Sequence, residues 1–285
     1  MFNSLKFKVI LFGFIFTFFS SFGQSYFLGL FNSSIREALS ITHGQFGTIY
    51  ASATLCSSLL LIWVGKKIDD VNIFKFAFFV TILLSFACFF FSRITSVFLL
   101  FIAIFLMRFS GQGMMSHTAS TTISRYFTRT RGRALSISWF GLSSAEFIMP
   151  VLMVYLLTII DWQNLWLIFS ITVLIVLPIV SFLLIKNLNL DSREANDEDK
   201  KEVEIKQWKR REVIKDYRFY IISSNMLAMP WIFTGFAVFQ SFIQTSKGWG
   251  PYVIAQSFMS YSILSVLTLF LSGFLIDKFT SRKLL

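Results

Sequence analysis

The sequence has few charged residues and few cysteines. The first shortage argues against an ordinary soluble domain, and the second argues against a disulfide-rich protein. Charged residues make up 14% of its 285 positions, against roughly 25% in soluble domains. Its two cysteines, Cys56 and Cys88, are too few for a disulfide framework, and we expect both to be small, buried apolar residues. No CxxC, HExxH, GxSxG or Walker-type motif occurs, so we expect neither a cofactor nor a metal site.

The sequence is rich in apolar residues. Hydrophobic residues make up 55% of the chain, and 37 residues are Phe. Uncharged runs of about 18 residues or more recur, which is the length needed to span roughly 30 Å of hydrocarbon. The first run continues to Phe31, which is too long for a signal peptide, and we expect a retained helix. The sequence therefore predicts an all-α polytopic membrane protein with eight spans, near 7–31, 44–64, 74–92, 97–122, 134–159, 164–185, 219–244 and 251–276.

The basic residues indicate how these spans are oriented. A net charge of +11 would indicate a nucleic-acid partner in a soluble protein, but here the Lys and Arg residues fall in loops. If the N-terminus is cytoplasmic, nearly all of the 26 basic residues lie on the cytoplasmic side, as the positive-inside rule requires. We therefore expect a multi-pass protein of the cytoplasmic (inner) membrane whose partners are lipids and a small molecule, not nucleic acid.

A charged segment divides the chain. Residues 186–218 contain no long apolar run, and we expect a solvated cytoplasmic linker between a six-helix bundle at 1–185 and a partial bundle at 219–285. Gly65 and Asp69 follow the second span, and Gly273 and Asp277 follow the eighth with the same spacing. Because each pair follows the second span of its set, the pattern indicates an internal repeat.

This organisation resembles the major facilitator superfamily of secondary transporters. In that family the loop after the second span of each half reads roughly Gly-x-Leu-x-Asp-Arg-x-Gly-Arg-Arg, and "GFLIDKFTSRKLL" is similar to it. The first copy, "GKKIDDVNIFK", has Asp70 where a basic residue is expected. The resemblance implies a gating role for the residues that match the loop pattern, which are Gly65, Asp69, Gly273, Asp277, Lys278 and Arg282.

The resemblance also implies a particular fold. We expect the fold of the major facilitator superfamily, with a complete N-terminal six-helix half followed by the first two helices of the C-terminal half. Since the family has twelve spans, we expect a truncated chain. The partners of Asp69 are then expected beyond this chain, and those of Asp277 near the end of the fifth span.

Two charged residues lie inside predicted spans at similar depth. Arg108 is near the middle of the fourth span, where a charge costs roughly 2.5–3.5 kcal/mol, and "RFSGQG" resembles an arginine-bearing pattern in the family's fourth span. Glu146, in the fifth span, is the one acidic residue inside a predicted span. Two interpretations stay open. The two residues form a buried ion pair, or Arg108 binds the carboxylate of an anionic substrate while Glu146 exchanges a proton.

Other polar side chains lie in spans 1, 4 and 7, which line the pathway in the family. We expect these residues to contact substrate, with interhelical hydrogen bonds as the alternative: Gln112, Gln24, Tyr26, Trp231, Gln240 and Asn225. His117 is expected to be a hydrogen-bonded structural histidine, with a proton relay as the alternative.

Together these features predict a secondary transporter that works as a monomer by alternating access, and not an enzyme. Arg108 favours a small organic anion such as a monocarboxylate, carried by proton-coupled symport. A drug or cation exporter of the same superfamily is the alternative, although Ala145 and Glu146 stand where exporters carry a Gly-Pro pair. A transport-inactive fragment or a membrane receptor is a further alternative.

Overall fold

The computed structural model describes residues 4–127, 130–186 and 210–279. These residues form helices and no strands. Eight helices are long and apolar enough to cross a membrane, which confirms the predicted number. We number them spans 1 to 8: Leu5–Gly23, His43–Asp69, Ile73–Phe91, Val97–Tyr126, Arg131–Leu156, Trp162–Ile185, Tyr217–Val238 and Pro251–Ser272. Most of the predicted linker, residues 187–209, lies outside the described residues.

Shorter helices connect the spans. On the side opposite the N-terminus, Asn32–Leu39 joins span 1 to span 2, and Gln240–Lys247 joins span 7 to span 8. Arg210–Lys215 precedes span 7, and the helix that contains span 8 extends to Phe279. Side-chain oxygens cap several helix starts. Thr42, for example, forms a reciprocal capping box with Gln45 at the start of span 2.

Span 1 continues past Gly23 through a second helix to Leu30, which we count as part of it, and is interrupted between the two helices; the hydropathy pattern predicts one continuous helix over 7–31. The α-helix Ser4–Ser20 passes into a 3₁₀ turn, Ser21–Gly23. Gln24 is extended, with φ −79° and ψ 151°. A new helix, Ser25–Leu30, then continues the chain. The interruption frees backbone groups in the apolar interior, and these groups need partners because no water is present there to satisfy them.

Span 4 is also irregular, at the level of the interruption in span 1. Residues Arg108–Met115 form a π-helix between the α-helices Val97–Met107 and Ser116–Tyr126. The two irregular segments are in contact: a Cβ added at Gly111 would lie 2.6 Å from the backbone nitrogen of Gly23 and 2.8 Å from its Cα. Glycine at both positions therefore allows the two backbones to touch.

Small residues also bring other spans together. Thr17 of span 1 donates a hydrogen bond of 2.5 Å to the carbonyl oxygen of Ser138 in span 5. A Cβ at Gly141 would collide with the backbone of Phe14. These small residues allow spans 1 and 5 to pack closely together. Between spans 3 and 6, Ser85 and Ser170 each donate to the other's carbonyl oxygen, at 2.9 Å in both directions.

The last two spans contact the first bundle in different ways. Span 8 packs along span 5. In span 7 only Ala237 and Val238 are buried. Its fully buried residues are therefore confined to the end opposite the N-terminus, and most of the remaining residues of the helix are exposed.

The two cysteines differ in environment. Both are free thiols; Cys88 is buried, as predicted, but Cys56 is exposed. The prediction was wrong for Cys56 because it lies on a face of span 2 that no described residue covers, and Leu55 and Leu59 on the same helix are also more than half exposed.

The contact between Gly23 and Gly111 gives a stability prediction. We expect Gly111→Ala to destabilise the fold by about 1–3 kcal/mol, because its Cβ would meet backbone atoms that cannot move aside. Gly235→Ala is the matched control, since its Cβ would have no neighbour within 4 Å and alanine favours the helix. Thermal unfolding in detergent should show a lower midpoint for Gly111→Ala alone. Equal midpoints for the two variants would contradict the close crossing.

Candidate functional site

Arg108 links the interruption in span 1 to span 4. Its side chain is buried, with 6% of its surface exposed. Nη1 donates to the carbonyl oxygen of Gly23 at 3.0 Å and to the Oγ of Ser25 at 3.2 Å. These two acceptors lie on either side of Gln24, the extended residue. The guanidinium therefore supplies donors to the segment in which the helix is interrupted.

Tyr50 of span 2 completes this cluster. Its hydroxyl donates to the Oγ of Ser25 at 2.9 Å, so that this serine oxygen accepts two hydrogen bonds. The guanidinium carbon of Arg108 lies 5.4 Å from the centroid of the Tyr50 ring, within the range of a cation–π contact. We call Gly23, Ser25, Tyr50 and Arg108 the arginine cluster. Gly23, Ser25 and Tyr50 were not predicted.

The hydrogen-bonding capacity of Arg108 is only partly used. Its Nε is buried without a partner, and Nη2 makes no hydrogen bond with any described residue. No acidic residue of the described part lies within ion-pair distance of the guanidinium. The cation is thus surrounded by a carbonyl, a hydroxyl and an aromatic ring, none of which cancels its charge.

Glu146 does not pair with Arg108, so the interpretation as a buried ion pair was wrong. Glu146 is also buried, at 6% exposed, and it makes no ion pair or hydrogen bond within the described part of the chain. It interacts electrostatically with Tyr26 of span 1 and Tyr261 of span 8. The prediction failed because span 1 packs against both span 4 and span 5, and Arg108 turns toward spans 1 and 2 instead.

Two of the predicted contact residues hold the second half of the chain against the first. The side-chain amide of Gln240 donates to the carbonyl oxygen of Tyr26 at 2.9 Å. Asn32, which was not predicted, donates to the carbonyl oxygen of Val238 at 2.8 Å. The hydroxyl of Tyr26 and Oε1 of Gln240 are buried without hydrogen-bond partners in the described structure. Both residues therefore make interhelical contacts, the alternative in the sequence prediction, while retaining unused polar atoms.

The remaining predicted contact residues are dispersed. Gln24 and Gln112 are half-buried, and their side chains make no hydrogen bond within the described structure. Asn225 is exposed and donates at 3.2 Å to the carbonyl oxygen of Ile221 in its own helix. Trp231 is 80% exposed and lines a cavity of about 950 Å³ between spans 2 and 7, which Tyr50 also lines. The structure thus brings Trp231, but not the two glutamines, to the same cavity as the arginine cluster.

The first copy of the loop motif docks on the end of span 4. The Nε2 of His117 donates to the carbonyl oxygen of Gly65 at 2.9 Å, as expected of a structural histidine. Arg125 forms an ion pair with Asp69 and donates to the carbonyl oxygen of Ile68 at 3.3 Å. The expectation that the partners of Asp69 lie beyond this chain was wrong, because its carboxylate pairs with a cation of the same bundle.

The second copy of the motif is described only in part. Gly273, Asp277 and Lys278 lie within the last helix, Pro251–Phe279, and not in a loop as expected. Arg282 lies outside the described residues.

Comparison with known families identifies the class of protein that this fold and site define. The family model described as Major Facilitator Superfamily matches residues 13–285. The chain therefore belongs to the major facilitator superfamily, a family of membrane transporters, which confirms the resemblance. No curated protein sequence matches the chain.

The ion pair between Asp69 and Arg125 gives a second prediction. A double-mutant cycle with Asp69→Asn and Arg125→Gln should give a coupling energy of about 0.2–1 kcal/mol, the range for partly exposed pairs. Lys67 and Asp70, 4.0 Å apart and more exposed, are the matched control pair and should show coupling near zero. Unfolding midpoints of the single and double variants measure both energies. Equal coupling in the two cycles would show that the motif does not dock through Asp69.

Proposed function

We propose that the chain is a proton-coupled transporter of a small organic anion, with a monocarboxylate as the substrate class. The observation that carries this proposal is that Arg108 is buried and has no acidic partner among the residues that the structure describes. We also propose that the protein is a monomer in the inner membrane with a cytoplasmic N-terminus, on the basis of its loop charges.

The anion proposal rests on the uncompensated charge of Arg108. A buried cation is expensive unless it is paired or fully hydrogen-bonded, and Arg108 retains Nε and Nη2 without partners among the described residues. A carboxylate can accept two hydrogen bonds from neighbouring guanidinium nitrogens and supply the missing charge. Substrate binding would thus remove a cost that the empty protein carries.

The proposal of proton coupling rests on Glu146. A guanidinium stays protonated in proteins, whereas a carboxyl group exchanges its proton. Glu146 is buried and forms no ion pair with a cation of the described residues, and Tyr261, which lies near it, belongs to the second half of the chain. A proton taken up by Glu146 would change the charge at the junction between spans 1, 5 and 8. Such a change can bias the packing of the two halves.

A cation or drug exporter of the same superfamily is the second candidate. The same isolation of Glu146 favours it, because an unpaired buried carboxylate can bind a cationic substrate. A transport-inactive fragment or membrane receptor is the third. The three candidates differ in which labelled compound binds and which crosses the membrane.

Binding and uptake assays test the proposal. The purified 285-residue chain should bind labelled monocarboxylates and, in proteoliposomes, take them up faster under an inward proton gradient. We expect Arg108→Gln to weaken binding about 30-fold or more, and Arg108→Lys about tenfold, because lysine cannot bind a carboxylate bidentately. Glu146→Gln should retain anion binding but lose the response of uptake to the proton gradient.

Arg93→Gln is the matched control, because Arg93 is an exposed cation that lies 5.6 Å from the ring of Phe89. It should bind and transport like the unmodified chain. Binding of a lipophilic cation, abolished by Glu146→Gln, together with no binding of any anion would refute the anion proposal and favour the exporter. Binding of an anion without uptake would favour the receptor.

A further inference from the structure

We propose that the anion carries an apolar tail, and that this tail occupies the cavity of about 950 Å³ between spans 2 and 7, which we call the span 2–span 7 cavity. The inference rests on the proposed function, because it assigns the carboxylate to Arg108. It goes further by naming where the rest of the substrate lies. The substrate class is then a medium-chain or aromatic monocarboxylate rather than a two- or three-carbon acid.

The lining of the cavity is uncharged. Span 2 contributes small residues such as Gly47 and Ala51 together with Leu55, and span 7 contributes Leu227, Pro230 and Trp231. No Asp, Glu, Lys or Arg of the described chain lines it. A substrate portion that carried charge would lose its hydration here without compensation, so the cavity fits an apolar group.

The hydroxyl groups on the wall do not change this conclusion, because most of them are already used. Thr48 donates to the carbonyl oxygen of Gly44 at 3.0 Å, Ser52 to that of Thr48 at 2.7 Å and Ser58 to that of Thr54 at 2.9 Å. These are hydrogen bonds within span 2 itself. The protons of these three hydroxyl groups are therefore not available to a polyhydroxylated substrate such as a sugar acid, whereas the hydroxyl of Thr54, which also lines the cavity, is buried without a partner in the described structure.

Tyr50 joins the cavity to the arginine cluster. It lines the cavity, its ring lies 5.4 Å from the guanidinium carbon of Arg108, and its hydroxyl bonds to Ser25. One side chain thus contacts both regions. A carboxylate bound near Arg108 would extend its tail past Tyr50 toward Trp231.

The size of the cavity and the exposure of Trp231 define the tail. Its volume is at the upper end of the roughly 300–1,000 Å³ that pockets for drug-sized ligands have. An acid of two or three carbons would leave most of it unfilled. Trp231 is 80% exposed, and its indole offers a large apolar surface for an alkyl or aryl group.

A homologous series of ligands tests the inference. We expect the affinity of the chain in lipid nanodiscs for straight-chain carboxylates, from acetate to octanoate, to rise about fourfold per methylene group buried. Phenylacetate should bind more tightly than acetate, and octanol, which lacks the carboxylate, should not bind. Empty nanodiscs and Arg108→Gln correct for partition of the longer acids into lipid.

Variants at two neighbouring positions separate the cavity from the rest of span 7. Trp231→Ala should flatten the rise with chain length, so that octanoate loses much more affinity than acetate does. Ile232→Ala, which removes an adjacent side chain that is 70% exposed and does not line the cavity, should leave the whole series unchanged.

The outcomes separate this inference from the proposed function. If no carboxylate binds at any chain length, both are wrong. If carboxylates bind equally at every length, or if Trp231→Ala weakens acetate and octanoate alike, the anion proposal stands and the inference about the tail is wrong. If Trp231→Ala lowers the oligomeric mass and affinity does not rise along the series, a second copy of the chain fills the cavity, and the inference about the tail is wrong.

Discussion

The structure depends on a requirement of the bilayer interior, where a backbone polar group has no water to bind and must find a partner in the protein. Span 1 violates helical regularity at Gly23 and Gln24, and Arg108 donates to acceptors on both sides of that irregularity. Each feature would be unfavourable alone, since an interrupted helix exposes backbone groups and a guanidinium in hydrocarbon lacks acceptors. Placed together, the interrupted segment supplies two acceptors for Nη1 of the guanidinium, and Arg108 supplies a donor for the carbonyl oxygen of Gly23.

This arrangement explains why span 1 is central to the packing of the first bundle. Its interrupted segment contacts the π-helix of span 4, its first helix packs on span 5 through Thr17 and Gly141, and Ser25 accepts the hydroxyl of Tyr50 from span 2. In the short helix after the interruption, the carbonyl oxygen of Tyr26 accepts a hydrogen bond from Gln240, which begins the helix after span 7. The arginine cluster and this contact with the second half of the chain therefore lie on the same interrupted segment.

The number of spans could be predicted from the sequence because a span is defined by the hydropathy of about 20 consecutive residues. The interruption in span 1 could not, since the segment as a whole is apolar enough to predict one span and the donors that bind the interrupted backbone come from Arg108 in span 4. Arg108 could be identified by its charge, but its principal acceptor is a backbone carbonyl, which no residue type marks in a sequence. The prediction of an ion pair between Arg108 and Glu146 was wrong because two residues at the same depth in the membrane can still face different neighbours. Asp69 could be identified from the loop motif, yet the helix packing that pairs it with Arg125 is not a local property.

The separation of Arg108 from Glu146 bears on how a transporter of this kind would couple two solutes. Were the two residues paired, an anion would have to compete with the carboxylate for the guanidinium, and binding would exchange one ion pair for another. As they are apart, an anion can neutralise Arg108 while a proton neutralises Glu146, and neither event requires breaking a contact with the other residue. Under the proposed coupling, the site without ligands would carry two buried charges, one on span 4 and one on span 5, and the site with both ligands would carry none. Because buried charge is the costly state in a bilayer, the protein with both ligands bound would then be the form in which the packing of its spans changes at the lowest electrostatic cost.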